Sequence, residues 1–194
     1  MNYSCNTLRT VKHHLKIGGL VAFATESAYG IGCNPKNFKA IKRLLLFKKR
    51  PASKGLIVIS DHLQDIGKIA NISLFMSQNW HKHLIPHNNT RATSFIVNSR
   101  DMTLPILTGN RKTIAFRLID NMKSISQLCS VMPMRLPIIA TSANITGKIA
   151  FKNYKDIMTS FPRNKHLLLL KGYGKFFKKT SKIINLLDQS VVRD

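Results

Sequence analysis

Three short stretches of unbroken apolar sequence constrain this chain most: residues 20–25 (LVAFAT), 56–59 (LIVI) and 137–141 (PIIAT). Each is too short for a stable helix and lacks the alternation of a strand with one wet face. Each therefore reads as a strand covered on both sides. Segments with helical spacing lie around them. Leu8, Val11 and Leu15 share one side of residues 8–17, which Gly18-Gly19 ends. Phe38, Ile41, Leu44 and Leu45 form a second apolar stripe, with Lys39, Lys42 and Arg43 turned to water and Pro51 as the stop. Residues 61–65, 72–83, 122–131 and 154–161 also read as helical, and 93–97, 114–117, 167–170 and 183–187 as strand-like. This interleaving predicts an α/β fold with a twisted, mixed, largely parallel sheet carrying helices on its faces. No repeat, low-complexity segment or flexible linker interrupts it, so residues 1–194 are expected to form one domain.

A chain of 194 residues buries roughly 70% of its unfolded surface, enough for a core without disulfides or structural metal. Cys5, Cys33 and Cys129 are odd in number, far apart and in no CxxC pair, and read as isolated thiols. No apolar run reaches the roughly 18 residues of a membrane span, and the first residues lack a signal-peptide core. A cytoplasmic protein that does not enter membranes is expected. The net charge of +23 attracts nucleotides, phosphates or RNA. Lysines outnumber arginines about two to one, so a coding bias that merely coats the surface explains the excess equally well.

Polar clusters follow or precede the apolar strands, where ligands of α/β sheets gather. They are Thr25-Glu26-Ser27, Lys48-Lys49-Arg50, Arg117, and Thr141-Ser142-Ala143-Asn144. Taken singly, a Ser/Thr/Asn group is more often a cap and a KKR run more often a solvated face. Several of them converging on one sheet edge suit a nucleotide. Two cations can clamp a polyphosphate, and short hydroxyls and an amide can bond its oxygens. Gly30, Gly32 and Gly147 can let backbone approach a ligand. Neither a P-loop nor a Rossmann fingerprint is present. Only eight carboxylates occur, mostly scattered, with Glu26 the one glutamate, which argues against a two-metal site or a glycosidase pair. His81, His83 and His87 lie on no common helix face, and no metal site is assigned. The remaining chemistry is the positioning of two substrates with neutralisation of phosphate charge.

The order ATESAYGIGC, KKRPASKGLIVI, TIAFRL, ATSANITG, running from about Gly18 to Gly147, resembles the YrdC family of threonylcarbamoyl-AMP synthases, in particular its single-domain bacterial (TsaC) type. The resemblance implies a YrdC-like fold with a concave basic surface. It also implies a nucleotidyltransferase that joins L-threonine, bicarbonate and ATP into threonylcarbamoyl-AMP and pyrophosphate. A downstream threonylcarbamoyl transferase complex then modifies the adenosine beside the tRNA anticodon. Mg2+ would be held mainly through ATP phosphates, and tRNA or double-stranded RNA is an expected partner.

Carried over by position, Lys48 and Arg50 match the family's K-x-R and are expected to hold phosphates and serve catalysis. Lys54, Thr113, Thr141, Ser142, Asn144 and Arg193 are expected to complete the ATP site. Thr25, Arg117 and Ser181 are expected to bind threonine, with Arg117 on its carboxylate, while Glu26 orients its neighbours. The chain departs from the family pattern at Ala24, where a proline is usual, around Trp80 and Pro86, where residues 88–91 look inserted, at residues 119–122, and at residues 179–183. The alternative is a non-catalytic tRNA or double-stranded RNA-binding module of the same fold, which would show salt-sensitive binding and no threonine effect. A carbamoyl transferase that matures another protein is a weaker reading, because the zinc motifs of such longer chains are absent.

Overall fold

The computed structural model describes residues 3–25, 28–77, 92–119, 123–144, 149–161, 164–172 and 181–193. These residues form one nine-stranded sheet. Its strands are β1 (Leu20–Ala24), β2 (Tyr29–Gly32), β3 (Ile57–Ser60), β4 (Thr93–Asn98), β5 (Thr113–Leu118), β6 (Ile138–Ser142), β7 (Leu167–Leu169), β8 (Lys182–Asn185) and β9 (Val191–Arg193). They lie in the order β7-β1-β2-β6-β3-β5-β4-β8-β9. Seven helices accompany them: α1 (Cys5–Lys16), α2 (Phe38–Phe47), α3 (Leu63–Ile66), α4 (Ser73–Ser77), α5 (Pro105–Thr108), α6 (Lys123–Ser130) and α7 (Tyr154–Ser160).

The sheet is mixed, as the interleaving of strands and helices predicts. Among the described residues its parallel pairings are β1–β7, β3–β5 and β4–β8, and the other five neighbours are antiparallel. The antiparallel share comes from direct returns such as the β1–β2 hairpin, which needs no crossover helix.

Both faces of the sheet are packed, which is why the central runs are apolar throughout. Leu20, Ala22 and Ile31 on one face meet Ile41 and Leu44 of α2, Ile66 of α3, Phe75 of α4, Leu107 of α5 and Ile157 of α7. Phe75, Phe95 and Phe116 form an aromatic triangle there, with centroids 5.3–5.7 Å apart. On the other face Val21, Phe23, Ile59, Ile138 and Ala140 meet Val11 and Leu15 of α1 and Ile125 and Leu128 of α6. Asn37 caps α2 by accepting from the Ala40 amide at 3.0 Å, and Ser4 caps α1, as short polar residues at helix starts do.

The helix expected over residues 72–83 is α4 for its first part, and residues 78–91 lie outside the described set. Glu26, His81, His83, His87 and Gly147 also lie outside it.

Candidate active site at one edge of the sheet

Pair directions put the carboxyl ends of β1 and β6 and the amino ends of β3 and β5 at the same sheet edge. Lys48 reaches this edge from the end of α2. Its backbone N–H closes the helix on Leu44 O, and the residue is 2% exposed. The ammonium donates to the carbonyl oxygens of Ser142 and Asn144, the latter at 2.7 Å, and to Asn144 Oδ1 at 3.4 Å. Burial, helped by the neighbouring Arg50, pushes the Lys48 amine down to about 8. Ser142 itself is exposed, while Asn144 is buried.

Ser142 pairs with Gly30, and Gly30 in turn with Phe23, so these backbones lie side by side. The Thr25 side chain lies above Gly30, and its hydroxyl donates to Ala28 O at 2.7 Å, locking the turn after β1. Thr25, Ser142, Asn144 and Lys48 are thus brought together. Thr141 pairs with Ile31 and by strand alternation faces the other side of the sheet from Ser142. The glycines separate in the same way. A Cβ on Gly32 would run into the Ile139 carbonyl, so that glycine serves strand packing.

Arg50 is half-buried, and its guanidinium donates to Gly55 O at 3.0 and 2.9 Å and to Lys54 O at 3.3 Å. It thereby holds the 3-10 turn Ala52–Lys54, where Lys54 is exposed. Thr113 opens β5 at this same edge, opposite Asn98.

Arg117 lies further along the sheet, in one row with Ile59, which in turn pairs with Ile138. Phe95 and Phe116 pair on the aromatic face, so Ser94 and Arg117 point to the opposite one, as Ser142 does. From Ser142 to Arg117 is about 16 Å between backbones, taking about 3.3 Å per residue along β6 and about 4.8 Å per strand across. Ser181 joins from the start of β8. Its hydroxyl lies 3.3 Å from that of the buried Ser94 and accepts from Arg193 Nη2 at 2.8 Å. Arg193 also donates to Ser181 O from Nη2 at 2.6 Å and from Nε at 2.9 Å. The arrangement is one stretch of sheet face with hydroxyls and a guanidinium at one end and Lys48 and Arg50 at the other. It suits an elongated anion.

Sequence reasoning passed over Ser94 and Tyr29. Ser94 sits in a strand-like stretch with nothing but alternation to mark its face. Tyr29 OH donates to Gly172 O at 2.7 Å and accepts from Gly172 N at 2.9 Å, which ties the β1–β2 turn to the chain after β7.

The sequence matches the Sua5/YciO/YrdC profile, described as Telomere recombination, over residues 13–194. The chain belongs to the Sua5/YciO/YrdC family. Similar curated members of this family are named threonylcarbamoyl-AMP synthase. That of Neisseria gonorrhoeae is 34% identical, covering 80% of this chain and 79% of that protein. That of Methylobacillus flagellatus is 32% identical, covering 95% of this chain and 98% of that protein. P. abyssi Sua5 complexed with L-threonine has the same Sua5/YciO/YrdC fold, with a TM-score of 0.83 at 23% identity, over 98% of this chain and 54% of that one. The chain thus spans about half the length of that Sua5 structure. Full-length HypF in the phosphate- and nucleotide-bound form matches with a TM-score of 0.74 at 16% identity, over 92% of this chain and 27% of that one. These two likenesses concern fold alone.

Proposed function

We propose that this chain is a threonylcarbamoyl-AMP synthase that condenses L-threonine, bicarbonate and ATP. The observation that carries the reading is the buried Lys48 ammonium at the Ser142–Asn144 strand end, on the edge of a face that also presents Arg117. The names of the curated relatives support it. The threonine amine and bicarbonate give a carbamate with loss of water. Its oxygen attacks the α-phosphorus of ATP, and the bond to the bridging oxygen breaks so that pyrophosphate leaves with the electron pair. No protein nucleophile is required. The site aligns two reactants and neutralises charge.

In this reading Lys48 and Arg50 hold the phosphates, with Lys54 beside them, and Ser142, Asn144 and Thr113 bond the nucleotide. Arg117 takes the threonine carboxylate, with Thr25 and Ser181 lining its pocket. Thr141 and Arg193 act through their neighbours, Thr141 from the opposite face and Arg193 by orienting Ser181. Mg2+ fits as an ion carried by the triphosphate, because the described partners of Lys48 and Arg50 are carbonyl and amide oxygens. Asp61 and Asp65 follow β3 at the opposite edge and are bonded to Arg135 and Lys68. The adenylate then passes to a transferase acting on tRNA.

Pyrophosphate release should require both L-threonine and bicarbonate and should collapse in Lys48→Ala and Arg50→Ala. If release is indifferent to threonine, the proposal is wrong. Salt-sensitive RNA binding without threonine binding would favour an RNA-binding module instead.

A further inference from the structure

The turn that carries Arg50 is gripped from a second side. Arg111, in the loop before β5, donates from Nη1 to Ser53 O at 2.8 Å. Gly55 has φ +58°, and a Cβ there would stand 2.8 Å from Arg111 Nη2, so the glycine is what admits this guanidinium. Two guanidiniums thus flank one short turn, and among the described residues each is bonded to backbone carbonyls alone. Arg111 adds to burial in lowering the proton affinity of Arg50, as a nearby like charge does. Every described ion pair involves Asp61 or Asp65, so among the described residues no carboxylate pairs with either arginine. Outside Arg111 lies a cavity of about 600 Å³, lined among others by Asn98, Ser99, Arg100, Asp101 and Lys112. Fixed like charges with spare N–H donors, beside a polar cavity with one acid among three bases, describe a place for a small, highly charged anion.

We propose that Arg111, supported by Lys112, forms with Arg50 a subsite for the diphosphate portion of the nucleotide. It holds the β- and γ-phosphates before transfer and the leaving pyrophosphate after the bond to the α-phosphorus breaks. The identity of the anion rests on the synthase reading, whereas the two-arginine geometry does not.

The test is calorimetric titration of the full chain with inorganic pyrophosphate, ATP, AMP and L-threonine, for wild type, Arg111→Gln, Arg111→Lys and Lys112→Gln. Gln can still donate to Ser53 O but carries no charge. Arg111→Gln should weaken pyrophosphate and ATP about tenfold, the size of one charge-assisted contact. AMP and threonine affinities should change less than about twofold, and Arg111→Lys should fall between wild type and Gln. Lys112→Gln should give a smaller loss of pyrophosphate with AMP unaffected. The subsite is overturned if wild type binds no pyrophosphate or if Arg111→Gln binds it as wild type does. It is also overturned if the Gln variant loses AMP and pyrophosphate alike, which marks a mere brace for the turn. Threonine-dependent pyrophosphate release judges the synthase reading separately. A chain that lacks it but shows the Arg111→Gln loss keeps the subsite and loses the reaction.

Discussion

Lys48→Met removes a charge that the fold holds out of water. Lys48 is 2% exposed, and burial with the nearby Arg50 lowers its amine from 10.5 to about 8. At 1.36 kcal/mol per pH unit, that difference corresponds to about 3 kcal/mol of destabilisation carried by the wild type at neutral pH. A depressed lysine behaves oppositely to a salt-bridged acid. Between pH 8 and 10.5 the unfolded chain binds the extra proton and the folded chain does not, so folding is favoured as pH rises through that window. The penalty is complete below about pH 8 and gone above about 10.5.

The variant also takes the ammonium donor from the carbonyls of Asn144 and Ser142, the latter keeping the Asn144 N–H at 2.9 Å, a loss of about 1 kcal/mol that is independent of pH. The informative quantity is therefore the difference between the two proteins as a function of pH. Urea unfolding of wild type and Lys48→Met at pH 7, 8, 9 and 10 should show the wild type gaining on the variant by about 2–3 kcal/mol across the series. The other lysines and tyrosines titrate in both and cancel. Parallel stability curves, with a difference constant within about 0.5 kcal/mol, would refute the claim that the ammonium is held against burial.

Three further outcomes are expected. Phosphate binding needs the protonated amine, so kcat/KM for ATP should fall about tenfold per pH unit above about 8, and a profile flat to pH 9.5 contradicts the role given to Lys48. Tyr29→Phe leaves the N–H and carbonyl of the buried Gly172 without their partner. It should cost about 1–3 kcal/mol by chemical denaturation, and a neutral result counts against that tie. Asp65→Ala leaves Arg135 and Lys68 facing one another without their shared acid and should cost about 3 kcal/mol in the same assay. Its pyrophosphate release per folded molecule should stay at the wild-type level, since the pair lies at the far edge.

The continuous apolar runs were legible as strands because a strand packed on both faces cannot hide a polar residue. They became β1, β3 and β6. The α2 stripe was legible for the complementary reason, with Ala40, Ile41, Leu44 and Leu45 buried at helical spacing. β2 was not legible. Its sequence is Tyr-Gly-Ile-Gly, and two glycines in four residues argue locally for a loop. It is a strand because β1 and β6 supply ladder partners on both sides, and Gly32 is needed where Ile139 O approaches. The run Lys48-Lys49-Arg50 reads as a solvated face when taken alone. The helix ends there with Lys49 at φ +48°, and the three side chains part company: Lys48 inward, Lys49 to solvent, Arg50 across the following turn. Arg111 had no local mark, because what gives it meaning is a turn almost sixty residues earlier.

The two ends of the sheet treat charge in opposite ways, and that contrast is the physical case for a site. Where β3 ends, Asp61 accepts from Arg135 Nη2 at 2.9 and 3.1 Å, and Asp65 accepts from Arg135 Nε at 3.1 Å, Lys68 at 3.2 Å and Ser60 at 2.8 Å. Arg135 is held there although it and Met134 both have positive φ, so the carboxylates are fastening a loop. Where β3 begins, Lys48, Arg50 and Arg111 gather with carbonyl and amide oxygens as their described partners. Neutral acceptors satisfy the N–H groups of a cation but leave its field intact. The fold commits two of its few carboxylates to one edge and gathers three cations at the other. A general lysine excess does not account for this pattern. A coding bias adds exposed lysines, whereas Lys48 is buried and Arg50 is turned onto its own backbone.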